Sequence, residues 1–143
     1  MIGVIDLNIS NISSVINSLN YLKIPNLIIK KDQDFEKINK LILPGVGSFE
    51  AGIKNLKKNN FDKKIIASVK IKKKPLFGIC LGMQLLMDES DESPGIKGLS
   101  LIRGNCVKFS NNIVVPHIGW NNIKKEKDCK ILKDIKDTNF YFL

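Results

Sequence analysis

Apolar runs of four to seven residues alternate with longer amphipathic segments through the first ~88 residues, and this pattern narrows the fold sharply. The runs are Met1–Leu7, Asn26–Lys30, Lys40–Gly45 and Pro75–Ile79. Each reads as a strand buried on both faces, because its apolar residues are continuous rather than alternating. Between them, Asn11–Leu22 places Ile12, Val15, Ile16, Leu19 and Leu22 at helical spacing. Phe49 to about Asn59 and Phe61 to about Lys72 read as two further helices, and Leu81 to Met87 opens another. Strands of this kind separated by helices predict an α/β fold: a doubly wound, mostly parallel sheet with flanking helices.

After Met87 the texture changes. An acidic stretch, Asp88–Gly98, reads as a solvated loop. "NCVKF", "IVVPHIGW" and "NFYFL" read as strands, with one short helix around Ile131–Ile135. The final aromatic run has the look of a core strand that should lead onward. No internal repeat or low-complexity tract interrupts the chain. Its 143 residues fit one domain, 1–143, expected to be incomplete at its C-terminus.

The formal net charge of +9 invites a nucleic-acid reading, but the residue types argue against it. The cations are 22 Lys and one Arg, Arg103, set among 22 Ile and 15 Asn, a bias toward residues with A/T-rich codons. Base and phosphate readers favour the bidentate Arg fork, and these lysines are scattered over what reads as solvated surface. No nucleic-acid partner is expected. No apolar run approaches the ~20 residues that span a bilayer, so no membrane role is expected. Three cysteines, Cys80, Cys106 and Cys129, form no CxxC pair and follow no basic, apolar leader. That usage fits a reducing cytoplasm. A lone histidine with scattered cysteines does not meet metal-ligand spacing, and no metal or cofactor is expected.

Chemistry is expected at "PLFGICLGMQLL", Pro75–Leu86. A strand, a Gly-x-Cys-x-Gly turn and a helix lift Cys80 above the C-terminal edge of the sheet. The flanking glycines leave room where no Cβ would fit. The helix N-terminus favours a thiolate, and the N–H of Leu81 can donate to an oxyanion. A structural cysteine in a tight turn is the plainer reading of that motif alone. A second Gly-rich turn, "LPGVGSFEAG", follows the third strand, and Gly45, Val46 and Gly47 can offer backbone N–H groups to an anion.

Together, "LPGVGSFEAGI", "GICLGMQLL", "GLSLIRGNCVKF" and "VPHIGWNNI" resemble the class I (triad) glutamine amidotransferases, and within them the glutaminase subunits of imidazole glycerol phosphate synthase. The resemblance covers Met1–Leu143. It implies that Cys80 attacks the side-chain amide carbon of glutamine to form a glutamyl thioester. It also implies that Val46, Gly47 and Leu81 form the oxyanion hole, and that Gly45, Gly47 and Gln84 bind the substrate. It further implies that the ammonia passes to a (β/α)₈-barrel synthase partner, with Asn11, His117, Trp120 and Asn121 at the partner interface. Two departures stand out. Asp6–Asn11 carries Asn8 and Ser10 where the family has glycines; Asn tolerates left-handed backbone, so the turn can survive. The family's catalytic His and Glu follow the aromatic strand, whereas the one histidine here, His117, matches the interface motif. The expectation is a C-terminally truncated member, lacking the last strands and helix and inactive by itself. A paralogous glutaminase that feeds a sugar amidotransferase, and an inactive binding subunit, are the alternatives.

Overall fold

The computed structural model describes residues 1–8, 11–110, 114–128 and 130–142. They fall into two compact units, Met1–Lys108 and Phe109–Leu143, and each is described by itself.

The first unit is built on a four-stranded parallel sheet in the order β2-β1-β3-β4. Its strands are β1 (Ile2–Ile5), β2 (Asn26–Ile29), β3 (Lys40–Gly45) and β4 (Leu76–Cys80). The helices are α1 (Ile12–Tyr21), α2 (Phe49–Lys58), α3 (Phe61–Lys70) and a short α4 (Leu81–Gln84). The expected α/β architecture is therefore present. From β1 the chain steps one way to β2 and the other way to β3 and β4. Right-handed crossovers then put α1 on one face and α2 and α3 on the other.

The core lies between β1, β3 and the α2–α3 layer. Ile5, Leu7, Leu43, Phe49, Leu56, Ile65 and Leu85 are fully buried, and Phe35 meets Phe61 edge-on with ring centroids 5.5 Å apart. Phe35 belongs to a 3₁₀ segment, Asp32–Lys37, that carries the chain from β2 to β3. The buried carboxylate of Asp34 accepts the backbone N–H groups of Lys30 and Lys31, each at 3.2 Å, and so ties down the start of that segment. Helix α1 is more weakly held. Of its apolar stripe only Leu19 is buried, and Leu22 is 62% exposed.

The expectation that all four strands are buried on both faces fails at β4. This strand pairs with β3 alone among the described residues, and Phe77 is 48% exposed. The expected helix over Leu81–Met87 also stops early, at Gln84. The carbonyls of Leu85, Leu86 and Met87 instead accept the N–H groups of Leu99, Leu101 and Ser100 at 2.8, 2.9 and 3.3 Å. Those backbone bonds draw the chain out of the helix. They require Gly98, where a Cβ would stand 2.1 Å from the Met87 oxygen.

"NCVKF" contributes only β6 (Asn105–Cys106), which pairs in parallel with β5 (Glu89–Ser90) inside the acidic stretch. In the second unit, β7 (Gly119–Asn122) pairs antiparallel with β8 (Asn139–Phe142). "IVVPHIGW" was expected as a strand, yet pairing begins only at Gly119. Pro116 has no N–H to give to a ladder. Ile113, the first residue of that run, lies outside the described residues, as do Ile9, Ser10, Cys129 and Leu143. The expected short helix is a 3₁₀ turn at Lys130–Leu132. Strand β8 is not a core strand in this unit. Tyr141 is exposed and packs edge-on against the equally exposed Trp120, ring centroids 5.7 Å apart.

Candidate active site

Parallel pairing of β3 and β4 sets Gly45 directly opposite Cys80. The Gly-rich loop after β3 and the cysteine turn after β4 therefore leave the sheet at the same edge. This is the side-by-side placement that the two motifs suggested.

Cys80 takes φ +53° and ψ −120°, a left-handed conformation that a residue with a Cβ adopts only under strain, at a cost of order 1–3 kcal/mol. Its neighbours show how the turn is enforced. A Cβ on Gly82 would lie 1.7 Å from the carbonyl oxygen of Leu43 in β3, and one on Gly78 would lie 2.6 Å from the Cα of Met83. The helix starts so close to the sheet that only hydrogen fits at either position. Gly52 in α2 also lies close, but to a side chain rather than to backbone: its Cβ position is 2.9 Å from a Leu85 methyl. That close approach presses the helix behind the loop against the segment behind the cysteine. The result is an exposed free thiol at the end of a strained turn, next to Gly47, which takes φ +95° with open space where a Cβ would be.

Cys80, Leu81, Gln84 and Gly47 line one cavity of about 500 Å³. Gly45 and the half-exposed Val46 stand in the adjoining loop without lining it. Asn11 is the exposed residue before α1. His117, Trp120 and Asn121 are exposed in the second unit, where His117 packs 5.9 Å from the ring of Phe142 and Asn121 Oδ1 accepts the N–H of Asn122 at 2.8 Å.

The rest of the lining is Ser90, Asp91, Glu92, Cys106, Val107 and Lys108. Sequence reasoning missed these residues as site residues, because the acidic stretch read as solvated. It is instead folded onto the sheet edge. Glu92 Oε2 accepts the N–H of Phe49 at 3.0 Å, and Ser48 Oγ accepts that of Ala51 at 3.3 Å, so two side chains cap α2 where the Gly-rich loop enters it. Ser90 and Ser93 are buried. Asp91 Oδ2 accepts the N–H of Lys108 at 3.2 Å, and Glu89 pairs with Lys97. The Glu92 bond spans 43 residues, and no local pattern signals it.

Asp88 closes this layer. Hydrogen bonds from the Gly104 N–H and the Ser100 hydroxyl hold its carboxyl below the ordinary value of 3.8, against the opposing effect of desolvation. A depressed carboxylate contributes stability above its unfolded value and loses it as pH falls through the lower, folded one. The amide resonance of Gly104 should accordingly titrate with a midpoint below 3.8, and Asp88→Asn should remove that titration.

Burial pushes the Cys106 thiol above its ordinary value of 9.0, and its Sγ lies 3.9 Å from the carbonyl oxygen of Gln84. Cys106 is therefore a protonated, poorly nucleophilic neighbour at neutral pH. No group of three His, Cys, Asp or Glu that could hold a metal ion occurs among the described residues. The arrangement offers an exposed thiol, backbone N–H groups from two adjacent turns, and a cavity with several polar and charged residues in its lining, large enough for a small amino acid.

The sequence profile of the family "Glutamine amidotransferase class-I" matches residues 3–141. The chain is 39% identical over 143 residues to the Methanocaldococcus jannaschii imidazole glycerol phosphate synthase subunit HisH, covering 99% of this chain and 70% of that one. It is 39% identical to subunit HisH 1 of Campylobacter jejuni strain RM1221, covering 100% of this chain and 73% of the relative. With the Thermococcus kodakarensis subunit HisH it shares 41% identity, covering 100% and 69%. A crystal structure of a glutamine amidotransferase superposes with a TM-score of 0.68 at 20% identity, over 85% of this chain and 62% of that one, and shows the fold.

Proposed function

The chain belongs to the class I glutamine amidotransferase family, and from that premise we propose that it is the glutaminase subunit of an imidazole glycerol phosphate synthase, acting in histidine biosynthesis. The observation that carries the reading is the Cys80 turn. A strained thiol is held between two glycines that admit no Cβ, opposite the Gly45 loop.

The chemistry follows from that placement. The Cys80 thiolate adds to the side-chain amide carbon of glutamine, and the oxygen takes the developing charge. The N–H groups of Leu81, Val46 and Gly47 are the donors to that oxyanion. Gly47 and Gln84, which line the cavity, hold the substrate, while Gly45, expected among them, is buried behind the loop and outside the lining. When the intermediate collapses, the C–N bond breaks and ammonia leaves with a proton, giving the glutamyl thioester. Water then adds to the thioester, releasing glutamate and restoring the thiol.

The strained turn at Cys80 places the nucleophile but supplies no base to take and return the proton. The family resemblance implies a histidine base with an orienting carboxylate for that step. A polypeptide of these residues alone should turn over roughly 10²–10⁴-fold more slowly for want of that acid–base group. The ammonia goes to a (β/α)₈-barrel partner, with Asn11 of the first unit and, separately, His117, Trp120 and Asn121 of the second as the residues assigned to contact it. The altered Asp6–Asn11 loop is weak support for the paralogous sugar pathway. Asn8 holds φ +57° and its N–H donates to Asp6 Oδ1 at 2.8 Å, so the left-handed turn a glycine would make is kept.

Glutamate production measured with and without a purified barrel synthase tests this. Stimulation by the synthase is expected. Binding without stimulation would support an inactive binding subunit, and no binding would contradict the assignment.

A further inference from the structure

Resting on the glutaminase reading, we infer that Lys108 is a specificity-determining residue that holds the α-carboxylate of glutamine. Glutamine reaches the site as a zwitterion. Its amide end must meet Cys80, so its ammonium and carboxylate must both find places in the same cavity. The charged side chains that line this cavity are Asp91, Glu92 and Lys108. Two carboxylates suit the ammonium and repel the carboxylate, a repulsion that is strong at short range in a partly desolvated cleft. Lys108 is the one lining cation among the described residues.

Its position is built rather than accidental. Cys106 pairs with Ser90 in the β5–β6 ladder, and two residues on, the Lys108 N–H is pinned to Asp91 Oδ2 at 3.2 Å. The ladder therefore fixes the Lys108 backbone at the cavity wall. Its ammonium is not consumed elsewhere: Asp91 and Glu92 accept backbone N–H groups, and among the described residues Lys108 takes part in no ion pair.

The test compares two alkylating agents on the intact protein. One is a glutamine analogue with a diazoketone in place of the carboxamide, which keeps the amino-acid head. The other is iodoacetamide, which has no head and reports the reactivity of the thiol itself. The ratio of the two labelling rates at Cys80 isolates recognition of the head. Lys108→Ala should lower that ratio about tenfold, the usual scale for losing a charged hydrogen bond at a half-open site, and Lys108→Arg should restore most of it. L-glutamine should protect Cys80 better than its α-amide does, and Lys108→Ala should erase that difference. An unchanged ratio with the difference intact would overturn the role of Lys108 while leaving the glutaminase reading standing. If the unsubstituted protein shows no preference for the analogue and no protection by L-glutamine, both fall.

Discussion

Cys80→Ala should abolish glutamate release, a fall of roughly 10⁴-fold or more wherever the unsubstituted protein is active with its synthase. The loss is that large because the residue forms the bond on which both half-reactions depend, and no other lining group can replace it. Cys106 shares the cavity, yet burial keeps its thiol protonated, with its ordinary value of 9.0 pushed higher still. Cys80→Ser should be nearly as inactive, since a hydroxyl gives up its proton far less readily than a thiol and is a far poorer nucleophile. Stability should behave differently. Alanine at φ +53° keeps the strain, and the melting temperature should barely move. Cys80→Gly relieves the strain and should stabilise the fold by about 1 kcal/mol while remaining inactive. An inactive variant more stable than its parent marks a conformation held for chemistry.

Gly82→Ala should be the most destabilising single-methyl change in the first unit, costing about 3 kcal/mol or more. The added Cβ would stand 1.7 Å from the Leu43 carbonyl oxygen. The obstacle is backbone, so no rotamer change relieves it; α4 must lift away from β3. That movement also parts Cys80 from the Gly45 loop, so activity should fall with stability. Gly47→Ala is the control. Its Cβ would meet nothing within 4 Å, and only the φ of +95° opposes it, for a cost of roughly 1 kcal/mol. Denaturant midpoints read both. Equal costs at the two positions would mean that α4 does not approach the sheet as closely as described.

The local parts of this site were legible in the sequence. Pro75–Ile79 and Lys40–Gly45 are apolar runs that end in glycine-bearing turns, and a parallel sheet delivers both turns to one edge. Glycines on either side of Cys80 announce a crowded backbone without showing what crowds it; Leu43 and Met83 do. Long-range contacts were not legible. The helix does not continue past α4 because residues 99–102 take the carbonyls of Leu85, Leu86 and Met87, and α2 is capped by Glu92 from 43 residues away. The acidic stretch read as solvated because its composition is polar, yet its polar atoms are spent on backbone N–H groups around the cavity. "IVVPHIGW" misled because apolar content suggests a strand while Pro116 denies the ladder a donor. "NFYFL" misled because aromatic residues look buried, although within its own unit β8 pairs with a single strand and leaves Tyr141 exposed.

The most direct test of Cys80 as the glutamine-directed nucleophile is peptide mapping after treatment with the diazoketone analogue. One adduct is expected, on the peptide that contains Cys80, and it should disappear when excess L-glutamine is present. An adduct on Cys106 in the same cavity, or labelling of Cys80 that L-glutamine does not slow, would contradict it.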